Sequence, residues 1–214
     1  MAVNILHVIA NPKPLKESAS KAVSEEFISV VRSRGGSKVR ISAVDLYRSP
    51  PPFYSYDVYR YFWYPVFDPD YAPTAREKKA AMYALKQGRL FNAADVLVLT
   101  TPMWNFGPPA ILKAWMDQVL APGLTFRIGA GGVEPLHRIS RIILLCASGG
   151  AYGAGDARNC LVPMVKAAFG FIGIREVEVA WADGQNSFFY KDSALRKTKA
   201  IQTAKALAQK LTTA

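Results

Sequence analysis

Three short runs of this chain carry residue types suited to holding a ligand. The first is Ser18-Ala19-Ser20, at the start of a predicted helix. Unpaired N–H groups and the positive dipole end make such a start a natural phosphate site, and both hydroxyls can donate. Lysines at 13, 16 and 21 add positive charge nearby. The second run, Pro102-Met103-Trp104-Asn105-Phe106, places a thioether, an indole and an amide in a turn directly after the apolar stretch Val96 to Leu99. In the third, Ala147-Ser148-Gly149-Gly150, backbone can approach a ligand closely without interference from Cβ atoms. Taken singly, the first reads equally as a plain N-cap serine and the second as a turn with core aromatics.

The elements that must position these runs alternate regularly. Ile5 to Ala10 is an apolar strand, and a polar turn from Asn11 to Glu17 leads to a helix opening at Ser18. Ala22, Val23, Phe27, Val30 and Val31 recur close to helical period, and Gly35-Gly36 ends that helix. Val39 to Val44 is a second strand. Thr74-Ala-Arg-Glu77 is a capping-box pattern, which predicts a helix from Thr74 to about Asn92. Val96 to Thr100 is the third strand, followed by a helix over Pro109 to Leu120. Arg141 to Ala147 is the fourth, followed by a helix over about Ala157 to Phe169. An alternating strand around Val177, Val179 and Trp181 and a helix from about Ser193 to Leu211 complete the chain.

Near-continuous apolar strands joined by helices imply a parallel sheet covered on both faces, an α/β/α sandwich of three layers. Five strands fit the flavodoxin-like order 2-1-3-4-5 better than the six-strand dinucleotide order. In that order the three runs converge on one crevice at the carboxyl ends of strands one, three and four. A phosphate at the first run and a flat ring between the other two describe a flavin mononucleotide (FMN) site. Other nucleotide fingerprints are missing: no G-x-x-x-x-G-K-[ST] occurs, and no G-x-G-x-x-G follows strand one.

The Pro-Met-Trp-Asn-Phe run resembles the FMN-dependent NADH-azoreductase and quinone-reductase family. So do the amphipathic helix after it, Gly123-Leu-Thr-Phe-Arg127, the strand ending in Ser148-Gly-Gly150 and Phe169-Gly-Phe-Ile-Gly-Ile174. The resemblance covers nearly the whole chain and implies one flavodoxin-like domain over residues 1–214, acting as a homodimer. It implies that Ser18, Ala19 and Ser20 hold the FMN phosphate. Pro102, Met103, Trp104, Asn105 and Phe106 hold the ribityl chain and isoalloxazine, and Ala147, Ser148, Gly149 and Gly150 the ring's far edge. NADH or NADPH is the implied donor, and quinones or azo dyes the acceptors, reduced in ping-pong turnover by hydride transfer through flavin N5. No side chain then acts as nucleophile. Backbone N–H groups near Asn105 and Phe106 face the N5/O4 side of the ring, and Phe126 and Trp63 are expected to stack on flat acceptors. The chain departs from the family pattern in four places: Trp104 for a common tyrosine, Pro12 where a serine often helps with phosphate, Ala147 for a serine and Ser148 for an arginine.

Residues 50–73 break the alternation with nine aromatic side chains between Phe53 and Tyr71 besides Phe53 itself: six tyrosines, two phenylalanines and Trp63 make up the run. So many cannot all be exposed without forming a large apolar patch. The segment reads as part of an interface with a partner subunit and of the pocket rim, as an insertion folded over its own domain, or as a disordered stretch. The formal charge of +11 favours anionic ligands, yet the lysines and arginines are scattered, with no basic stripe interleaved with aromatics, so nucleic acid is not an expected partner. No metal-type spacing involves Cys146 or Cys160, both expected to be reduced core residues, and no metal is expected. His7 is expected to be structural and His137 to lie at the surface. Met1-Ala2-Val3-Asn4 leads straight into a strand without a signal pattern, which makes a cytoplasmic location the expectation. The competing reading is a non-enzymatic flavin-binding electron carrier or redox-sensing protein; a phosphate-binding hydrolase is a further rival.

Overall fold

The computed structural model describes residues 2–153 and 155–213. Among these residues seven strands and seven α-helices follow one another, beginning with β1 (Val3–Ile9), α1 (Ala19–Gly35), β2 (Val39–Asp45), α2 (Tyr56–Phe67), α3 (Ala75–Ala80), α4 (Met82–Asn92), β3 (Val96–Pro102) and α5 (Ala110–Val119). Then come β4 (Phe126–Gly129), β5 (Gly132–Pro135), β6 (Arg141–Ala147), α6 (Leu161–Phe171), β7 (Glu176–Ala182) and α7 (Ser193–Thr213). Five strands form one parallel sheet in the order β2-β1-β3-β6-β7. Counted over all seven strands this is 2-1-3-6-7, which corrects the expected 2-1-3-4-5. The difference is the antiparallel hairpin β4–β5, which pairs with no strand of the main sheet. Its strands have four residues each, too few to display a period.

Side chains alternate across the sheet as the pleat requires. Leu6, Val8, Ile142, Leu144 and Cys146 join a core with Trp115, Met116, Leu161 and Phe169 from α5 and α6. Ile5, Val98, Ile143 and Leu145 face the other way onto Val23, Phe27 and Val31 of α1 and Ala200, Ala204 and Ala208 of α7. The alanine stripe at every fourth position lets α7 lie close against α1, the most extensive helix pairing in the molecule.

The predicted helix over 74–92 is two helices. The Thr74 hydroxyl accepts from Glu77 N–H and the Glu77 carboxylate from Thr74 N–H, so the capping box is formed. The break falls at Ala81, whose N–H is shared between the carbonyls of Glu77 and Lys79. The aromatic segment contains a helix, α2, that the sequence reading did not assign. Val58 and Phe62 pack with Ala81, Ala84, Ala121 and Leu124 in a satellite core. Arg60 clasps the segment: its Nε donates to Glu77 Oε1 at 2.6 Å, and its guanidinium lies 4.6 Å from the Tyr64 ring and 5.4 Å from that of Tyr71. Burial alone would raise the Glu77 pKa; hydrogen bonds from Thr74, Tyr71 and Arg60 overcome this and hold it near 2. On the outer side Tyr56, Tyr59, Trp63 and Phe67 stack in sequence at 6.1–6.4 Å.

His7 is buried on β1, with Nε2 2.8 Å from Thr100 Oγ1 and 3.1 Å from Ser24 Oγ, a structural position as expected. His137 is half-buried and held in place by contacts within the chain. Ile139 N–H donates to its Nδ1, which leaves the proton on Nε2 to bond Ile172 O, and Phe91 packs against its ring. Cys146 is buried, whereas Cys160 is exposed, which corrects the core expectation for that residue.

Burial, aided by Arg32, lowers the His7 pKa from 6.5 to about 4. The unfolded chain therefore binds the extra proton between these values, so stability is full above pH 6.5 and declines as pH falls towards 4. Urea unfolding at pH 7.5 and pH 5 should show the native protein losing about 2 kcal/mol more than a His7→Gln variant. Equal losses in the two proteins would contradict this assignment.

Candidate functional site

β1, β3 and β6 end side by side, and each is followed by one of the three runs. Ala10 N–H bonds Thr100 O at 2.8 Å, and Met103 N–H bonds Ala147 O at 2.7 Å. Pro102 is tolerated in a central strand because it is the last residue of β3. Its missing N–H falls on the β1 side, where pairing has stopped at Ile9 and Thr100.

The first loop turns through Asn11-Pro12 and a 3₁₀ turn at Leu15–Glu17 before Ser18 caps α1, its hydroxyl accepting from Lys21 N–H. The Asn11 amide donates to Ser18 Oγ at 2.7 Å and to Ser20 Oγ at 2.9 Å, and its own Oδ1 accepts from Lys13 N–H. The N–H groups of Ala19 and Ser20, ahead of the helix's own ladder, carry no partner among the described residues.

The second loop is a two-residue hairpin turn. Trp104 N–H bonds Gly107 O and Gly107 N–H bonds Trp104 O, with Asn105 at φ 47° and Phe106 at φ 70°. Both central residues of such a turn need positive φ, which Asn tolerates and Phe adopts at a cost of order 1 kcal/mol. The turn is held by Cys160 N–H bonding Phe106 O and by the Phe106 ring edge on Tyr152. It leaves the Asn105 and Phe106 N–H groups without partners among the described residues.

The third loop is laced to the segment after β7. Ser148 N–H bonds Ala182 O, Gln185 N–H bonds Ser148 O and Asn186 N–H bonds Gly149 O. The Ser148 hydroxyl donates to Gly150 O and accepts from Trp181 Nε1, so it is spent on the loop itself. Gly150 admits the Tyr152 ring, whose hydroxyl stands 2.6 Å from where a Cβ would be. Gly149 is different: its φ is not in the left-handed region, and a Cβ there would meet only the Asn186 Cβ at 3.9 Å. Neither backbone nor packing within the chain demands glycine at 149.

The loops enclose a crevice of about 450 Å³. Of the expected site residues, Ser18, Ala19, Ser20, Pro102, Met103, Trp104, Ala147, Ser148 and Gly149 line it together. Asn105 and Phe106 stand on the adjoining exposed turn, and Gly150 lies outside the lining. Phe126 and Trp63 are not brought to the crevice. Phe126 is 1% exposed, edge-on to Trp63 and Phe171, so in this chain it presents no face to a flat acceptor. Asn11, Gln185, Asn186 and Lys197 also line the crevice and were not singled out from the sequence. Asn-Pro is a turn-initiating pair, a signal for Asn11; nothing local marks the other three. Lys13, Lys16 and Lys197 face a lining whose single carboxylate is Glu17, and none of the three lysines enters an ion pair among the described residues. The end formed by the first loop is thus cationic and rich in donors, and the other is walled by Met103, Trp104 and the glycine loop. Among the described residues no cluster of metal-ligating side chains occurs.

The family model of the flavodoxin-like fold matches residues 3–208. Among curated relatives, an FMN-dependent NAD(P)H:quinone oxidoreductase of Pseudomonas aeruginosa is 33% identical over 191 residues, 86% of this chain and 88% of its own. An FMN-dependent NADH:quinone oxidoreductase of an Exiguobacterium species is 32% identical over 211 residues, 97% of this chain and 98% of its own. Among solved structures, an azoreductase from Bacillus anthracis superposes with a TM-score of 0.85 at 26% identity, covering 97% of this chain and 99% of that one.

The anion end can be tested with inorganic phosphate alone. A concentration near 100 times its Kd should raise Tm by roughly 5–10 °C, and Ser20→Ala should remove most of that rise. A phosphate-independent Tm, or an undiminished rise in the variant, would contradict the assignment of this end.

Proposed function

The chain belongs to the flavodoxin-like family of FMN-dependent NAD(P)H:quinone oxidoreductases and azoreductases, and from that premise we propose how its crevice performs such a reaction. It is an oxidoreductase that binds FMN, takes electrons from NADH or NADPH and passes them to quinones or azo compounds. The observation that carries the reading is one crevice with unspent hydroxyl and amide donors at one end and a glycine that nothing in the chain requires at the other.

The residues fit the cofactor. Ser18, Ala19 and Ser20 hold the phosphate with two hydroxyls and two amide N–H groups at the positive end of α1, and Lys13, Lys16 and Lys197 supply counter-charge. Pro102, Met103, Trp104, Asn105 and Phe106 hold the ribityl chain and ring, and Ala147 to Gly149 border the ring's far edge, with room left by the missing Cβ at 149. FMN, when bound, would supply hydride chemistry at its N5 between the nicotinamide donor and the second substrate, a ping-pong scheme. The chain itself binds and orients. The strained turn leaves the N–H groups of Asn105 and Phe106 without partners among the described residues, and these would stabilise negative charge on the ring without reorganising. Cys160 N–H and the Tyr152 ring keep that turn in place.

The acting species is a homodimer of single flavodoxin-like domains in the cytoplasm. The outer aromatic ladder of α2 and the exposed Phe171 are surfaces for the partner. Among the described residues no helix is long and apolar enough to cross a membrane.

Protein purified and supplied with FMN should be yellow and should consume NADH or NADPH continuously with a quinone. Bound flavin with negligible turnover would favour the electron carrier, and colourless protein would overturn the reading. Gly149→Val should lower FMN affinity at least about tenfold, an effect of roughly 1.4 kcal/mol, with Tm of the flavin-free protein little changed. Unaltered affinity would remove Gly149 from the cofactor site.

A further inference from the structure

We propose that Asn11 is a positioning residue that fixes the Ser18–Ser20 pair as hydrogen-bond donors, and so makes the loop select a phosphate over a hydroxyl at the end of the ribityl chain. The inference rests on the FMN reading and deepens it. Asn11 is 3% exposed, and Ser18 and Ser20 are 4% and 0% exposed.

The proton count follows from groups whose roles are not interchangeable. Lys13 N–H can only donate, so the atom of the Asn11 amide facing it at 3.0 Å must be the carbonyl oxygen. That orients the NH₂ group towards the serines, where its two hydrogens go to Ser18 Oγ and Ser20 Oγ. Ser18 Oγ also accepts from Lys21 N–H at 3.1 Å, which uses its second lone pair. Its O–H must therefore donate, either to Ser20 Oγ, 3.4 Å away, or into the crevice. In both arrangements the Ser20 proton has no acceptor in the loop and turns to the crevice that Ser20 lines. Asn11 itself is fully engaged, with both hydrogens and its oxygen used inside the loop. It reaches a ligand only through the serines.

The result is a loop whose hydroxyls have protons to give, with the lone pairs of Ser18 Oγ already taken by Asn11 and Lys21. A phosphate dianion, an acceptor at every terminal oxygen, suits it. A free alcohol gains less from these donors and must also place its own proton, for which the lining offers the Glu17 carboxylate and the amide oxygens of Gln185 and Asn186. The departure at Pro12 thus has a local answer: the donor lost there is offset by the neighbouring amide, which orders two hydroxyls.

The test is a double-mutant cycle read by the binding of FMN and riboflavin to flavin-free protein. The wild-type chain should prefer FMN over riboflavin at least about hundredfold. Asn11→Ala should weaken FMN about tenfold and leave riboflavin unchanged, but should weaken FMN no more than about threefold in a Ser20→Ala background. If alanine unsettles the loop, as its Tm would reveal, Asn11→Asp preserves size while accepting the serine protons. Its cost to FMN should then be larger with Ser20 present than without it. Equal costs in the two backgrounds would overturn the role given to Asn11. A wild-type protein that binds neither flavin, or both equally, would instead overturn the FMN-phosphate reading beneath it.

Discussion

The hydrogen bonds from Ala10 N–H to Thr100 O (2.8 Å), Met103 N–H to Ala147 O (2.7 Å) and Ser148 N–H to Ala182 O (3.1 Å) extend the parallel ladder one residue past β1, β3 and β6. Each bond fixes the first residue of one ligand-bearing loop against the neighbouring strand, so the loops leave a single rim in a fixed stagger. β1 lies between β2 and β3, and the chain's return across the sheet opens the crevice at that switch. Slipping the register of β1 against β3 by one residue would turn Leu6 and Val8 out of their core and would move Asn11 away from Ser18 and Ser20 at once. The buried contacts of both cores therefore also hold the geometry of the site.

On that rim the polar groups are set before any ligand arrives. The Asn11 amide and the α1 cap leave the Ser20 proton no acceptor in the loop, and the Trp104–Gly107 turn leaves two backbone N–H groups without partners among the described residues at the expense of two positive φ angles. The β6 loop is stiffened by Ser148, Trp181 and the segment at 184–186. Preorganised donors of this kind favour an anionic or electron-rich planar ligand because little rearrangement is needed on binding.

Much of this was readable from residue order. The apolar runs at Val96 and Arg141 and the helix starts at Ser18 and Thr74 rest on local periodicity and capping, and the structure bears those elements out. What escaped was non-local or too short. The β4–β5 strands lack the length to show alternation, and α2 was obscured because its aromatics serve both a packed face and an outer ladder. Gln185, Asn186 and Lys197 reach the crevice only through the placement of β7 and α7, which no local pattern records. Cys160 and His137 went astray for the same reason: each is defined by a partner far along the chain, Phe106 for one and Phe91 and Ile172 for the other. Phe126 was expected near acceptors, and the hairpin it begins tucks it beneath Trp63 and Phe171.

The central claim is that the loops after β1, β3 and β6 form one FMN site with its phosphate end at α1. A crystal structure of the protein soaked or grown with FMN tests it most directly. The phosphate should lie on the hydroxyls of Ser18 and Ser20 and the amides of Ala19 and Ser20, with the ring between Trp104 and Gly149. A phosphate bound elsewhere, or a ring outside the crevice with these donors left empty, would contradict it.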